Sequence, residues 1–282
     1  MDKQKIQIGL ALGGGVARGP AHVGVLSVLE EAGIPIHCVA GTSAGSIVGA
    51  AYCAGLTVSQ MQELAQNTGW RDVARLAWPK RGFVSFAKME PWLEGWLGKL
   101  DIRDLAIPFA AVVTDLESGE PVVLRAGRLA TAVRASCSVP GVVTPVRING
   151  RLYCDGGVSD NLPVSAVREL GADYVIGVDL FAPSGRLRWG PFGLGATALE
   201  LLVRHAGGGV RQADCLIVPD ISEFSYFRFS QSRQFIELGA QAARQALPKI
   251  LADLKRLGVS LTAPQVQETA AFNGRSHISL NV

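Results

Sequence analysis

Two apolar runs, each closed by a glycine-rich turn and followed by an apolar pattern at helical spacing, fill the chain up to residue 55. "KIQIGLAL" (5–12) reads as a buried strand, with "GGGVARG" (13–19) as the loop after it. Pro20 suits a first helical turn, Ala21, Val25, Val28, Leu29 and Ala32 recur at helical spacing, and Gly33 fits the helix end. "IPIHCVA" (34–40) reads as a second strand, "GTSAG" (41–45) as a turn, and "SIVGAAYCAG" (46–55) as an apolar helix closed by glycine. Strand, turn and helix repeated in this way build a parallel sheet covered by helices, so the expected fold is α/β.

The remaining chain extends this pattern. Thr57 with Gln60 forms a capping box for a helix to about Asn67. "PFAAVVTDLESGEPVVLR" (108–125) reads as two strands about Ser118–Gly119, and "RLATAVRASC" as a helix ending before Pro140. Asn149–Gly150 marks a hairpin within 146–157. A short helix from Pro163 to Leu170, a strand at 172–180, a loop at 181–195, a helix at 197–206, a strand at 213–221 and a long helix at 232–256 follow. The spacing predicts one α/β domain, its catalytic core in 1–182 and its completion in 183–282. Residues 70–100 and 181–230 are additions to that domain.

"GTSAG" is G-x-S-x-G between a strand and a helix. There a sharp turn lifts a serine Oγ above the strand ends, and the small Gly41 and Gly45 relieve the crowding. Ser43 is therefore the candidate nucleophile. A hydroxyl needs a base to take its proton. His22 and His37 precede the serine, and neither His205 nor His277 has a distinctive loop around it. Asp155 in "YCDGGVSDNLP" ends a hairpin strand, and Gly156 and Gly157 after it permit close approach of another backbone. An Asp-Gly turn accounts for the same residues on local evidence. Asp160 and Asp115, in turn-like surroundings, and Asp179, at the end of a buried strand, compete for the role.

A serine nucleophile gives the glycine loop a use. Ester hydrolysis places negative charge on the former carbonyl oxygen, and bare backbone can present N–H groups to it. Gly13, Gly14 and Gly15 are the expected donors, while Arg18 braces the loop, meets a substrate phosphate or simply pairs with a carboxylate. The spacing G-x-G-x-x-x-G is one residue longer than the dinucleotide fingerprint, and there is no GK[ST]. A non-catalytic phosphate- or nucleotide-binding α/β protein is thus the weaker reading, beside a general carboxylesterase for small soluble esters.

Three motifs in order, GGGVARG, GTSAG and DGG, resemble the patatin-like phospholipase family, especially bacterial members related to the catalytic domain of neuropathy target esterase. The resemblance spans about residues 6–170 and includes "RASCSVPGVVTPV" (134–146). The glycine loop is one residue longer than in plant patatins. The resemblance implies a three-layer α/β/α fold with a mostly parallel central sheet, and a Ser43–Asp155 dyad without histidine. It also implies an oxyanion loop at Gly13, Gly14, Gly15 and Gly19. The implied reaction is hydrolysis of a phospholipid, lysophospholipid or other fatty-acyl ester through an acyl-enzyme, with no cofactor or metal.

Composition narrows the partners. A net charge of +3 from scattered residues does not suggest nucleic acid. Cys38, Cys53, Cys137, Cys154 and Cys215 include no CxxC pair and read as reduced thiols. No signal peptide or run of 18 apolar residues is evident, so a cytoplasmic protein is expected, soluble or peripheral at the inner face of the membrane. Four of five tryptophans fall in 70–100. Trp92 and Trp96, four apart and flanked by Lys88 and Lys99, would share a helix face that either packs on the core or meets lipid.

Overall fold

The computed structural model describes residues 5–78, 82–181, 190–226, 228–259 and 261. In chain order the first elements are β1 (Ile8–Leu12), α1 (Pro20–Glu31), β2 (Cys38–Thr42), α2 (Ala44–Cys53), α3 (Val58–Asn67) and α4 (Trp70–Val73). A small ribbon, β3 (Arg75–Leu76) and β4 (Val84–Ser85), leads into α5 (Met89–Leu97), β5 (Phe109–Asp115), β6 (Pro121–Leu124) and α6 (Leu129–Ser136). The hairpin β7 (Val146–Ile148) and β8 (Arg151–Asp155) turns at Asn149, whose φ of 49° is the left-handed value such a turn requires. Then come α7 (Val164–Glu169), β9 (Tyr174–Val178), α8 (Pro191–His205), α9 (Gly209–Gln212), β10 (Cys215–Ile217) and α10 (Ser232–Arg256).

The main sheet runs β10–β9–β1–β2–β5–β8–β7, with β6 also on β5. From β10 to β5 every pairing is parallel, while β6, β7 and β8 pair antiparallel. Alternation along β1 sorts side chains into two layers. Ile8, Leu10 and Leu12 join a core with Val25 and Leu29 of α1 and Phe235 and Ala243 of α10. Ala11 faces the other way, with Val164 and Val167 of α7. The result is the expected α/β/α sandwich, and β10 and α10 complete the same sheet and core.

The Thr57–Gln60 capping box is present, with Gln60 N–H donating to Thr57 Oγ1 at 3.2 Å and Thr57 N–H to Gln60 Oε1 at 2.9 Å. Other boundaries differ. Helix α2 begins at Ala44 rather than Ser46, directly after Ser43. Helix α8 begins at Pro191, inside the stretch expected to be a loop, because Pro191 suits a first turn as well as a loop. The rest of that loop, 182–189, and His277 lie outside the described residues.

Residues 70–100 are part of the wall of the molecule. Glu90 and Glu94 of α5 pair with Arg128 at 2.7 Å each, and Glu90 also pairs with Arg134 of α6 at 2.8 Å. Of the two readings open for Trp92 and Trp96, packing on the core is the one the structure favours. Both are half-buried, since α5 lies against the core and turns both indoles toward it. Among the described residues the most exposed rings are Trp78 and Phe83, with Trp70 next at 36%, and no helix is long and apolar enough to cross a membrane.

Candidate active site

Sheet register brings Ser43 and Asp155 together. Thr42, the last residue of β2, pairs with Val112, and Asp155, the last of β8, pairs with Val113. Because β6 occupies the other edge of β5 alongside 111–114, β2 and β8 share one edge in succession. The chain leaving β2 at Ser43 therefore passes the end of β8.

Ser43 has φ 52° and ψ −123°, a left-handed conformation that L-residues rarely adopt outside functional turns. The sharp turn is possible because its neighbours have no side chains. A Cβ on Gly45 would lie 2.1 Å from Leu12 O, and one on Gly41 would lie 2.5 Å from Gly45 O. The elbow is pinned by Ser43 N–H donating to Ser136 Oγ (2.8 Å) and by Ser136 Oγ–H donating to Val112 O (2.6 Å). Ser46 Oγ–H donates to Ser43 O at 2.7 Å.

Asp155 is 6% exposed. Burial pushes its pKa up to about 6, and hydrogen bonds from the Ser43 side chain and Gly157 N–H pull the other way. The Gly157 bond to Asp155 Oδ1 is 2.8 Å. Gly156 has no room for a Cβ, which would stand 2.3 Å from Val112 O. The competing aspartates have other partners. Asp115 pairs with Arg151 and Asp179 with Arg204, each at 2.8 Å. Asp160 accepts from Ser165 Oγ at 3.1 Å, and its backbone oxygen holds Thr42 Oγ1 at 2.9 Å.

The described histidines stand elsewhere. His22, fully buried, donates from Nε2 to Gly13 O at 2.8 Å, and burial drops its pKa to about 4. It is thus a neutral support beneath the glycine loop at ordinary pH. His37 Nδ1 accepts from Ile8 N–H at 2.9 Å, and His205 is exposed at the end of α8.

The glycine loop corrects one expectation. Gly13 N–H is engaged by Val178 O at 3.1 Å and Gly14 N–H by Asn161 Oδ1 at 3.2 Å, so neither is an open donor. Gly13 carries β1 pairing one step further, and Gly14 faces the loop after the aspartate. Gly15 N–H and Val16 N–H have no partner among the described residues. Val16, at φ 53°, lines the same cavity as Ser43 and Gly19. Ala44 N–H, in the first turn of α2, has no intrahelical acceptor.

Arg18 takes the bracing position, one of the readings the sequence left open. It is 1% exposed, and its guanidinium donates to Leu180 O (3.3 Å) and Phe224 O (2.6 Å) while lying 3.5 Å over the Tyr226 ring. A cation held by two carbonyls and a π face ties the loop to the 180–181 and 224–226 segments. It braces the loop.

Asn161 was not singled out from the sequence. It is fully buried, it holds Gly14 N–H, and its Nδ2 has no partner among the described residues. Its position in "DGGVSDNLP" carries no local signal, because its meaning depends on that loop folding back over the first glycine loop.

Ser43 opens into a cavity of about 600 Å³. Met61, Leu64 and Ala65 from α3, Val73 from α4, and Met89 and Trp92 from α5 form much of its wall, and no charged side chain among the described residues lines it. Cys137 also faces it, its thiol held protonated because burial raises its pKa.

The chain has similar proteins among those already known. The chain is 38% identical over 177 residues to an NTE family protein of Mycobacterium tuberculosis (strain ATCC 25618 / H37Rv), covering 62% of this chain and 49% of that relative. It is 36% identical over 179 residues to a protein of Aspergillus fumigatus named lysophospholipase nte1, covering 61% of this chain and 12% of that one. The chain thus spans about half the length of the mycobacterial relative and a small part of the fungal one. Among solved structures, VipD from Legionella pneumophila has the same fold at a TM-score of 0.53 and 14% identity, covering 87% of this chain and 67% of that chain. The patatin-like phospholipase family matches residues 10–168, more than half of the sequence. The chain belongs to the patatin-like phospholipase family.

Proposed function

We propose that this protein is a serine acyl hydrolase of lipid esters, either phospholipids or lysophospholipids, working through a Ser43–Asp155 dyad. The observation that carries the reading is a serine on a strained elbow, beside a buried aspartate, at the wall of an uncharged apolar cavity. Family membership and the lysophospholipase name of a relative support the substrate class. A pocket of about 600 Å³ without charges suits a fatty-acyl chain better than a nucleotide.

In this reading Asp155 accepts the Ser43 proton as Oγ attacks the acyl carbonyl. The N–H groups of Gly15, Val16 and Ala44 receive the oxyanion. Collapse of the tetrahedral intermediate breaks the ester bond, and the leaving alkoxide takes the proton from Asp155. Water then attacks the acyl-Ser43, giving up a proton to Asp155. Collapse releases the fatty acid and returns the proton to Ser43.

Mass-spectrometric detection of fatty acid released from lysophospholipid and diacyl phospholipid tests the activity. Release from neither, with turnover of small soluble esters alone, would leave a general carboxylesterase. Ala65→Phe narrows the cavity from a half-buried wall position. It is expected to lower kcat/KM for long-chain esters by about tenfold, a loss of about 1.4 kcal/mol of transition-state stabilisation, and to leave butyrate esters unchanged. Equal losses on both would remove the cavity from the acyl-chain role.

Asn161→Ala frees Gly14 N–H and loosens the loop that carries the donors. Its kcat is expected to fall by about tenfold or more with little change in KM, since the loop acts on charge that appears in the transition state. Gly14→Ala acts on the same contact, because its Cβ would stand 2.7 Å from Asn161 Oδ1. A rise in KM alone would make this contact a ground-state binding element.

A further inference from the structure

The two most exposed aromatic side chains among the described residues stand together on the ribbon beside the cavity. Leu76 is 91% exposed, Trp78 80% and Phe83 65%, on or beside the β3–β4 ribbon. Ala77 N–H donates to Phe83 O at 3.0 Å, which holds the two ends of the ribbon tip together. Phe83 N–H and Val84 N–H both donate to Val142 O, at 2.9 and 3.0 Å, so the ribbon is fastened to the half-exposed Val142. Val84 and Val142 line the cavity that contains Ser43, as does the exposed Leu199 of α8. The apolar surface and the apolar cavity are therefore continuous.

Soluble monomers rarely leave such a patch bare, and tryptophan favours the boundary between water and lipid. The charges beside it specify the kind of surface. Arg71, Arg75 and Lys88 are exposed around the base of the ribbon, and Lys88 Nζ is held at Arg71 O at 3.0 Å. From 70 to 89 the sequence has five basic residues and one acid, Asp72. That carboxylate is occupied in capping Gly69 N–H at 2.7 Å. An aromatic tip above a basic base matches the layers of an anionic bilayer, where hydrocarbon lies beneath negative headgroups.

We propose that the face formed by Leu76, Trp78, Phe83 and Val142, with Arg71, Arg75 and Lys88 beside it, docks the protein on anionic lipid bilayers. Docking turns the cavity mouth toward the membrane, so an acyl chain reaches Ser43 without crossing water. The purpose rests on the hydrolase reading, but the binding does not require Ser43.

Co-sedimentation with phosphatidylcholine vesicles, with and without phosphatidylglycerol, tests the proposal on the full chain. Wild type and Ser43→Ala are expected to bind vesicles containing phosphatidylglycerol equally, and less so as salt is raised. Trp78→Ser/Phe83→Ser is expected to reduce the partition coefficient by about tenfold or more. Arg75→Glu/Lys88→Glu is expected to reduce it by at least about tenfold on anionic vesicles, since each basic residue near the surface strengthens binding about fivefold. None of these four residues lines the cavity, so both double variants should turn over a short soluble ester at the wild-type rate. Failure of wild type to bind, or wild-type binding by both double variants, would overturn the proposal. Concentration-dependent self-association lost in Trp78→Ser/Phe83→Ser, without vesicle binding, would instead assign the face to a second copy of the chain. Vesicle binding without ester hydrolysis would leave the docking surface standing and remove the hydrolase reading.

Discussion

Ser43→Ala is expected to eliminate fluorophosphonate labelling and to lower ester hydrolysis by at least about ten-thousand-fold, because nothing else in the proposed mechanism can form the acyl intermediate. The variant should fold normally. Alanine fits the space of serine, and the elbow is held by backbone groups and by Ser136, which the substitution leaves in place. His205→Ala and His277→Ala should keep most activity, as should His37→Ala if its fold survives loss of the Ile8 contact. Loss of activity in either of the first two variants, with an unchanged melting curve, would replace the dyad with a triad. Labelling of Ser43→Ala at the wild-type rate would remove Ser43 from the chemistry.

The second large effect concerns Asp155 and pH. Its carboxyl, raised from 3.8 to about 6 chiefly by burial, accepts a proton only when ionised. The expected profile of kcat/KM is flat above about pH 7 and falls about tenfold per pH unit below about 6. His22 does not produce this limb, since it is already neutral across that range. Asp155→Asn should remove nearly all activity, because an amide accepts no proton. A profile without an acid limb would leave Asp155 outside proton transfer.

The same shift fixes the sign of a stability change. A carboxyl whose folded pKa is raised holds its proton more tightly when folded. Its contribution to stability is full below the unfolded value near 4 and is lost as pH rises through about 6. At pH 8 the ionised group costs roughly 3 kcal/mol, from about 1.4 kcal/mol for each pKa unit. Asp155→Asn removes that cost and keeps an oxygen for Gly157 N–H. Its melting temperature at pH 8 should exceed that of wild type by roughly 5 °C, and the gain should shrink toward pH 5. A lower melting temperature at pH 8 would contradict the burial argument. Activity and stability thus move in opposite directions at this residue.

The sequence by itself determined what neighbouring residues control. The strand before Ser43 and the helix after it, the Asn149–Gly150 hairpin, the Thr57–Gln60 cap and the helix at 232–256 all depend on groups within a few residues of one another. Propensity, turn chemistry and hydrophobic period act over that range, so these elements are legible before folding. The motif order also carried the family. The tertiary structure decided which groups meet. Four aspartates were available on local grounds, and the shared edge of β5 brings Asp155 beside Ser43 while Asp115 and Asp179 pair with arginines. Three glycines looked equivalent as donors until Val178 and Asn161 engaged two of them. Arg18 had several readings until its guanidinium met Leu180, Phe224 and Tyr226. The exposed face lies at Trp78 and Phe83 rather than Trp92 and Trp96 because the packing of α5 settles which rings are covered. Each of these outcomes depends on contacts between segments far apart in the chain. Periodicity says that a side chain has an inner or outer face, but only the packed neighbours decide what that face touches.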